Sequence, residues 1–289
     1  MERRKMKVVG YTHSGKKSSI NYVSFTFSGG EEHVRFETFN AESLTRIEIL
    51  ERATDSSKVM RLIVAVDALK RMTNESLPIE LVIPYFPYAR QDRVCVHGEA
   101  LGASVMANII NSLGFSKVTV WDAHSDVSPA LLKRVVNIPQ INLLKKCDDL
   151  VQRLSSGELI LVSPDAGAAK KTIKIAETFG GEPEVIQAQK VRNLKTGEIV
   201  KTEILGDVKD KNVLITDDIC DGGRTFIELA KALKEKGAKE VSLFVTHGIF
   251  SNGLSVFDGL IERIYTTDSF RAKNEFTFNG QVSLQIIEV

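Results

Sequence analysis

The chain has 289 residues, of which 43% are hydrophobic and 26% are charged, and its formal net charge is +1. This composition supplies a core for two domains of ordinary size and is typical of a soluble protein. A net charge so close to zero argues against binding to nucleic acids or anionic membranes, and no apolar run approaches the length of a membrane span.

The cysteines and the amino terminus bear on the cellular compartment. Cys95, Cys147 and Cys220 are odd in number, far apart and without the spacing of a metal site. We interpret them as free thiols in a reducing compartment. The first residues are basic but lack an apolar stretch long enough for a secretory signal. We therefore expect a cytoplasmic protein.

Helices and strands alternate along the first half of the chain. Strand patterns come first, near residues 7–10 and 20–27, and the side chains of the second alternate in character. Apolar periodicity then predicts a helix at about 57–71 followed by a strand at 79–84. A second helix, at 99–113, is followed by a strand at 118–121. Such alternation is typical of an α/β domain.

One segment of this half nearly matches a nucleotide-binding motif. Residues 10–17, Gly-Tyr-Thr-His-Ser-Gly-Lys-Lys, approach the P-loop pattern, but Lys17 stands where that motif needs a serine or threonine for magnesium. The residues that follow alternate like a strand and do not open a helix. We predict a polar turn between two strands.

The second half of the chain repeats this logic. A strand at 159–162 leads into residues 164–167, Pro-Asp-Ala-Gly, and then into a helix. We place the joint between the halves around 138–150 and divide the chain into domains 1–140 and 141–289. The prediction is two similar α/β domains, each with a mostly parallel sheet flanked by helices, and a site between them.

The most informative segment is 213–225, Val-Leu-Ile-Thr-Asp-Asp-Ile-Cys-Asp-Gly-Gly-Arg-Thr. Its apolar start suits a strand covered on both faces, which ends in Asp217 and Asp218 and turns through two glycines into a helix. A second apolar run at 241–245 completes a β-α-β unit and implies a parallel sheet. The N–H groups of the turn lie at the positive end of the helix dipole and predict a phosphate site. Carboxylates beside such a site fit a phosphorylated sugar, whose hydroxyls or bound magnesium they would hold.

This segment resembles the phosphoribosyl-pyrophosphate (PRPP) binding motif of the type I phosphoribosyltransferase fold. Phosphoribosyltransferases and ribose-phosphate pyrophosphokinases share that fold, so the motif alone leaves the reaction open. Residues 83–93, Ile-Pro-Tyr-Phe-Pro-Tyr-Ala-Arg-Gln-Asp-Arg, separate the two classes. They closely resemble the Pro-Tyr-x-x-Tyr-Ala-Arg-Gln-Asp-Arg signature of the pyrophosphokinases. As a loop they offer guanidinium forks for phosphates and aromatic rings beside a base.

Further segments match the pyrophosphokinase family in its order and at similar spacing. They are Phe27-Ser-Gly-Gly-Glu31, Asp122-Ala-His124, residues 162–167 and Lys190-Val-Arg192. The first is similar to the family's adenine segment, which often serves a neighbouring subunit. The last falls where the family has the Lys-x-Arg of its flexible catalytic loop. A Lys-Thr-Gly turn at 195–197 predicts a protruding hairpin here, which would act as a mobile lid.

The resemblance implies transfer of the β,γ-diphosphoryl group of ATP to the anomeric hydroxyl of ribose 5-phosphate, giving PRPP and AMP. ATP would be bound by Phe27, Gly29, Glu31, Arg90, Gln91, Asp92 and Arg93. Ribose 5-phosphate would be bound by Asp217, Asp218, Asp221, Gly222, Gly223, Arg224 and Thr225. Mg²⁺ would be contacted by His124 and Asp165, with Asp122 as a weaker candidate, and Lys190 and Arg192 would be the catalytic cations. The resemblance also implies a homo-oligomer built on dimers, of which a hexamer is one form.

Several positions depart from the family pattern. The family has Thr-Ala/Gly-Gly where this chain has Gly222-Gly223-Arg224, and the added charge of Arg224 either tightens phosphate binding or faces solvent. Ala168 replaces the second glycine of an Asp-x-Gly-Gly motif, and Lys171 replaces an arginine. Gly29 replaces an acidic or amide residue of the adenine segment, which leaves the nucleotide selectivity open.

Two other functions compete with this one. A phosphoribosyltransferase that consumes PRPP shares the segment 213–225 but gives no reason for residues 83–93 or for an adenine segment. A non-catalytic homologue that binds nucleotides and regulates a true synthetase would lose the cations of the catalytic loop. This chain retains Lys190 and Arg192.

Overall fold

The computed structural model describes residues 6–179, 185–192, 199–277 and 280–288, with the backbone alone for 190–192 and 199–201. The chain forms two compact units, Met1–Ile138 and Pro139–Val289, called the first and second units below. The domain boundary predicted at residue 140 lies just beyond this division.

The first unit is built on a six-stranded sheet and a separate two-stranded hairpin. Its strands are β1 (Lys7–Thr12), β2 (Lys17–Ser19), β3 (Tyr22–Thr26), β4 (Glu32–Phe36), β5 (Leu44–Leu50), β6 (Ile79–Val82), β7 (Lys117–Trp121) and β8 (Val135–Ile138). Its helices are α1 (Ser56–Met72), α2 (Gly102–Ser112) and α3 (Val127–Leu131). The sheet order is β2-β1-β5-β6-β7-β8, with β5 to β8 parallel and β1 antiparallel to both neighbours.

The local sequence explains the packing of α1 on this sheet. Asp55 begins the helix by accepting the N–H of Lys58 at 2.9 Å, which is a typical N-cap. Leu62 and Leu69 recur at helical spacing and are buried together with Ile47 and Ile49 of β5 in one apolar core. This core fixes the strand ends from which the functional loops of the first unit leave.

The near-match to a P-loop is a turn between two strands, as predicted. β1 and β2 pair in antiparallel register, and Thr12 N–H donates to the Lys16 carbonyl across the turn. Gly15 has a φ of +77°, which suits glycine in a tight turn. No helix follows that could present a phosphate site.

The second unit carries a seven-stranded sheet. Its strands are β9 (Leu159–Ser163), β10 (Val185–Arg192), β11 (Ile199–Leu205), β12 (Asn212–Cys220), β13 (Glu240–Gly248), β14 (Arg263–Thr267) and β15 (Ser283–Ile287). Its helices are α4 (Gln140–Leu144), α5 (Asp148–Ser155), α6 (Ala166–Phe179) and α7 (Arg224–Glu235). The sheet order is β11-β10-β9-β12-β13-β14-β15, and every neighbouring pair except β10–β11 is parallel.

The strand β12 is covered on both faces, as its apolar run predicts. Val213 and Ile215 lie in the core that includes Leu229 of α7, whereas Leu214 points to the opposite core, which includes α4 to α6. The β12-α7-β13 unit is therefore a parallel crossover, and the carboxyl end of β12 opens beside the start of α7.

The predicted α/β class is confirmed, and so is the order of the helices and strands. The helix expected at 99–113 begins later, at Gly102, because the Glu99 carboxylate accepts the N–H groups of Cys95 and Val96 and holds a loop instead. The three cysteines are free thiols. Within the described ranges, no helix combines the length and apolar character needed to cross a membrane.

Candidate functional site

The loop 84–93 of the first unit leaves β6 and is held by buried anchors. Phe86 and Ala89 are each 2% exposed, so the loop is pinned to the core from within. Backbone hydrogen bonds from Ala89 N–H to Phe86 and from Gln91 N–H to Tyr88 give it a fixed turn. Arg90 and Gln91 are on the exposed side. A rigid loop that displays a guanidinium group is suited to binding phosphates.

Asp92 points inward and ties this loop to the loop after β7. A hydrogen bond from Ser125 is the main reason that the pKa of Asp92 lies below its usual range, and the charges of Arg93 and His124 lower it further. The side chain of Asp92 is 5% exposed. The predicted ATP-loop residues and the predicted metal contact His124 are thus neighbours within the first unit.

Gly102 is a site-forming residue that sequence reasoning missed. A Cβ atom placed there would lie 2.3 Å from Gln91 Oε1 and 3.0 Å from the Tyr88 ring. Ala103 N–H also donates to the Gln91 carbonyl at 3.1 Å. The start of α2 therefore shapes the loop by leaving room for Gln91. The only indication of this in the sequence was a glycine inside a predicted helix.

His124 and Asp122 follow β7 in a strained turn. Asp122 has a φ of +40° and is 2% exposed, and its N–H donates to the Ile138 carbonyl at 2.7 Å. The next N–H, of Ala123, donates to Asn137 Oδ1. This arrangement buries Asp122 and leaves His124 half-buried. Of the two, His124 is the better placed to contact a ligand.

The predicted adenine segment is the turn of the β3–β4 hairpin. Phe27 N–H donates to the Glu31 carbonyl, and Gly30 has a φ of +96°. Phe27 is 50% exposed and lies edge-on to Phe25, with His33 against both rings. An exposed aromatic face of this kind can stack on a base.

The departure at Gly29 has a local reason. A Cβ atom on Gly29 would lie 2.6 Å from Glu31 Oε2. The carboxylate of Glu31 thus occupies the space beside residue 29, where the family pattern has an acidic or amide side chain. A side chain at residue 29 would therefore require the Glu31 side chain to move.

Two carboxylates lie at the carboxyl end of β12 in the second unit. Asp218 N–H donates to Asp217 Oδ1 at 2.9 Å. Burial, the charge of Asp218 and the charge of Asp165 raise the pKa of Asp217 well above its usual range. Three predicted residues are therefore close enough to interact, and they form an acidic edge suited to hydroxyl groups or a hard cation.

Asp165 also begins α6. Its Oδ1 accepts the N–H groups of Gly167 and Ala168 at 3.0 and 3.1 Å, which is typical of an N-cap. Among the described residues, no group of three or more His, Cys, Asp or Glu side chains is arranged to hold a metal. Any cation here would rely on oxygen atoms of its substrates for most of its ligands.

The turn after β12 has the geometry of a phosphate site. Gly223 has a φ of +82°, and its carbonyl accepts the N–H groups of Phe226 and Ile227 as α7 begins. The first N–H groups of a helix have no partner within the helix and lie at its positive end. A Cβ atom on Gly223 would lie 2.5 Å from the Phe257 ring, so the turn requires glycine.

Arg224 pairs with a residue of its own helix. Its side chain is 86% exposed and its Nε donates to Glu228 Oε1 at 2.9 Å, one turn further along α7. Arg224 thus faces solvent in an i,i+4 ion pair. Its charge is partly neutralised before any phosphate binds.

A second missed residue fills the space left by the altered phosphate turn. Asn252 Nδ2 donates to the Gly222 carbonyl at 3.1 Å, and a Cβ atom on Gly222 would lie only 2.9 Å from Nδ2. Asn252 therefore lies beside the position where the family pattern has threonine. No motif in the sequence pointed to it.

Lys190 and Arg192 lie on β10, whose backbone pairs with β11 in antiparallel register. Their side chains, and the predicted turn at 195–197, lie outside the described residues. The strand pair agrees with a hairpin at this place in the sequence, and the roles of the two cations stay predictions.

Two family models match the chain. Residues 17–114 match the N-terminal domain of ribose phosphate pyrophosphokinase, and residues 137–265 match the phosphoribosyl transferase domain. The first match contains the loop 84–93 and the second contains the turn after β12.

Individual proteins agree with these matches. The ribose-phosphate pyrophosphokinase of Thermosipho africanus is 33% identical over 227 residues, which cover 76% of this chain and 68% of the relative. That of Mycoplasma pneumoniae is 31% identical over 253 residues, covering 84% and 74%. The crystal structure of phosphoribosylpyrophosphate synthetase from Mycobacterium smegmatis superposes with a TM-score of 0.78 at 25% identity, over 93% of this chain and 87% of the other.

Proposed function

Because this chain belongs to the ribose-phosphate pyrophosphokinase family, we propose that it transfers the β,γ-diphosphoryl group of ATP to ribose 5-phosphate through the residues described above. The oxygen of the anomeric hydroxyl bonds to the β-phosphorus and loses its proton. The bond between this phosphorus and the bridging oxygen of the α-phosphate breaks, so PRPP forms and AMP leaves.

The observation that carries the proposal is the loop 84–93. Its anchors are buried and its arginines are displayed, while Asp92 ties it to the loop that bears His124. A phosphoribosyltransferase that consumes PRPP has no use for such an ATP-binding loop. This feature favours the synthesis of PRPP over its consumption.

In the acceptor half, the turn after β12 would bind the 5-phosphate through the backbone N–H groups of residues 222–225, with Asp221 and Thr225 at its two ends. Asp217 and Asp218 would accept hydrogen bonds from the ribose hydroxyls. Burial and the neighbouring charges raise the pKa of Asp217, so its carboxylate is a stronger base and a stronger hydrogen-bond acceptor than a free carboxylate.

In the donor half, Arg90, Gln91 and Arg93 would bind the phosphates and Phe27 would stack on adenine, with Glu31 nearby. Glu31 and Phe27 would serve a neighbouring subunit of a homo-oligomer built on dimers. The exposed ring of Phe27 supports this role, because an aromatic face open to solvent is available to stack on a base.

The residues present fit Mg²⁺. His124 and Asp165 are the proposed protein contacts, with the buried Asp122 as a weaker candidate. When bound, Mg²⁺ would neutralise the phosphate charge and orient the chain of phosphates. Lys190 and Arg192 would add positive charge in the transition state.

The test is incubation with ATP, ribose 5-phosphate and Mg²⁺, with AMP and PRPP measured separately. We expect both products in equal amounts, and ADP in place of AMP would contradict the transfer of a diphosphoryl group. Absence of AMP with any divalent cation would leave the chain a nucleotide-binding homologue without this activity.

A Lys190→Ala variant tests the proposed cations. Removal of one preorganised charge lowers kcat by about a hundredfold, while calorimetric binding of ribose 5-phosphate should stay unchanged. Lys174→Ala, an exposed lysine on α6, is the matched control and should retain full turnover. Unchanged kcat in Lys190→Ala would show that Lys190, and the predicted hairpin that carries it, takes no part in the reaction.

A further inference from the structure

The acid pair lies where β12 loses a partner in its sheet. On one side, β9 pairs with β12 only as far as the register Val162↔Ile215, although β12 runs on to Cys220. On the other side, β12 stays paired with β13 as far as Cys220↔Gly248. The backbone that carries the two carboxylates therefore keeps one neighbouring strand and has lost the other, β9.

Gln140 supports this backbone. Its Nε2 donates to the Asp217 carbonyl at 2.6 Å, across 77 positions of sequence, and lies 3.4 Å from Thr246 Oγ1. The side chain is in the first turn of α4 and is 4% exposed. A buried carbonyl that loses such a donor is left with the cost of an unsatisfied polar group.

Thr246 is itself held in place. Its carbonyl accepts hydrogen bonds from Thr267 Oγ1 at 2.7 Å and Ser269 Oγ at 2.9 Å. Ser269 Oγ is in turn 2.8 Å from His247 Nδ1. The hydrogen bond to Gln140 thus joins β12 to a connected polar network at the ends of β13 and β14, and such networks restrict movement more than isolated bonds do.

We propose that Gln140 is a positioning residue, which sets the orientation of Asp217 and Asp218 toward the ribose hydroxyls by fixing the Asp217 carbonyl. The inference rests on the proposed function, because it takes ribose 5-phosphate as the ligand of the acid pair. Gln140 does not touch the sugar. It acts through the backbone, from which both carboxylates take their direction.

The effect should be confined to the acceptor substrate. Loss of the amide leaves the Asp217 carbonyl without its donor, and the strand end shifts to find another. Gln140→Met keeps the length of the side chain and removes the donor. We expect the KM for ribose 5-phosphate to rise about tenfold, the size expected for one net hydrogen bond, while the KM for ATP stays unchanged.

Asn111→Leu is the matched control. Asn111 Nδ2 donates to the Leu131 carbonyl at 2.9 Å in the first unit, so it makes the same kind of bond away from the acid pair. Its variant should lower the melting temperature but leave the KM for ribose 5-phosphate unchanged. A merely structural role for Gln140 would make the two variants behave alike.

A second variant protects the test against misfolding. Gln140→Asn keeps a polar amide but is one methylene too short to reach the Asp217 carbonyl, and it should raise the KM for ribose 5-phosphate in the same direction. If Gln140→Met does not fold, the result with Gln140→Asn decides. Equal changes in both KM values, or an unchanged KM for ribose 5-phosphate in a folded variant, would overturn the proposal.

Calorimetric binding of ribose 5-phosphate separates this inference from the reaction itself. It requires no turnover, so weaker binding by Gln140→Met supports the inference even if the wild-type protein forms no AMP. Wild-type turnover combined with unaltered binding by the variant would leave the proposed function intact and remove Gln140 from it.

Discussion

The loop 84–93 and the turn after β12, both proposed to bind phosphates, would do so in opposite ways. In the loop, buried side chains such as Phe86 hold the backbone and long exposed side chains such as Arg90 offer the charge. In the turn, the backbone itself offers the donors, and its shape depends on what is missing, namely a side chain at Gly223. The comparison predicts that a substitution in the loop can lower activity without lowering stability. In the turn, a substitution should lower both.

Gly223→Ala should have the largest effect. Its Cβ would overlap the Phe257 ring at 2.5 Å in a left-handed backbone conformation, which costs on the order of 2–4 kcal/mol in stability. Displacement of the N–H groups should also lower kcat/KM for ribose 5-phosphate by about a hundredfold. Thermal melting and steady-state kinetics measure the two effects.

Gly259→Ala is the control for this variant. Gly259 has a φ of +75°, but a Cβ atom there meets nothing within 4 Å. It should lose only the roughly 1 kcal/mol that the backbone conformation requires and keep its activity. If Gly223→Ala melts like Gly259→Ala and retains its KM, the turn is less demanding than its geometry indicates.

Arg90→Ala should separate activity from stability in the loop. Loss of a charge-assisted contact to ATP lowers kcat/KM for ATP by about a hundredfold, while the anchors Phe86 and Ala89 keep the melting temperature unchanged. Arg71→Ala, an exposed arginine paired with Asp67 on α1, should change neither. A fall in melting temperature with Arg90→Ala would erase the contrast between the two regions.

Gly222→Thr tests whether Asn252 has taken the place of a side chain in the turn. The new Cβ would lie 2.9 Å from Asn252 Nδ2, so we expect the KM for ribose 5-phosphate to rise about tenfold, as for an overpacked contact. The double variant Gly222→Thr/Asn252→Gly removes the conflict and should recover most of the affinity. Additive losses in the double variant would show that the two positions are independent.

Buried ion pairs extend the comparison to pH. In the first unit, burial raises the pKa of Glu51 to about 7. The positive charge of Arg61, 3.8 Å away, lowers this pKa but offsets only part of the effect of burial. Stability should therefore fall as the pH rises from 4.5 towards 7, because the unfolded carboxyl ionises first. Glu51→Gln should abolish this fall in stability, which is roughly 3 kcal/mol.

The stability of the second unit should depend on pH in the opposite direction. Glu240 is buried in part, but the side chain of Arg153 bonds it at 2.8 Å and, with Ser242, holds its pKa below the usual range. Glu240 therefore stabilises the folded protein above pH 4.5. This stabilisation is lost as the pH falls through the pKa of Glu240 in the folded state, which is lower than 4.5. Thermal melts of Glu240→Gln should lose stability at neutral pH and converge on the wild type in acid.

Arg224→Ala should have the smallest effect. The exposed i,i+4 pair with Glu228 contributes about 0.3–0.5 kcal/mol. We expect kcat and both KM values within about twofold of the wild type. A tenfold rise in the KM for ribose 5-phosphate would mean that Arg224 turns toward the phosphate on binding.

The sequence predicted the periodic parts of this molecule well. The apolar run at 213–215 and the helical spacing after Gly223 depend on local burial, which recurs along the chain and is visible in the residues themselves. The same holds for α1. The parallel pairing of β12 with β13 followed from these elements.

Contacts between distant positions could not be predicted in this way. Nothing in the sequence near Gln140 indicates a partner 77 positions later, and the need for glycine at residue 102 depends on a side chain from another loop. The late start of α2 has the same origin, because Glu99 bonds a loop instead of opening the helix. Local propensity is overridden wherever a tertiary contact satisfies the backbone better.

The hydrogen bond between Gln140 and Asp217 also has a consequence for synthesis on the ribosome. Gln140 is among the first residues of its unit to emerge, yet its partners Asp217 and Thr246 emerge much later. A chain grows from its amino terminus and domains fold as units, so the first unit can be complete while Gln140 is still unpaired. We expect a nascent chain that ends before residue 246 to hold a finished ATP half and an acceptor half without affinity for the sugar.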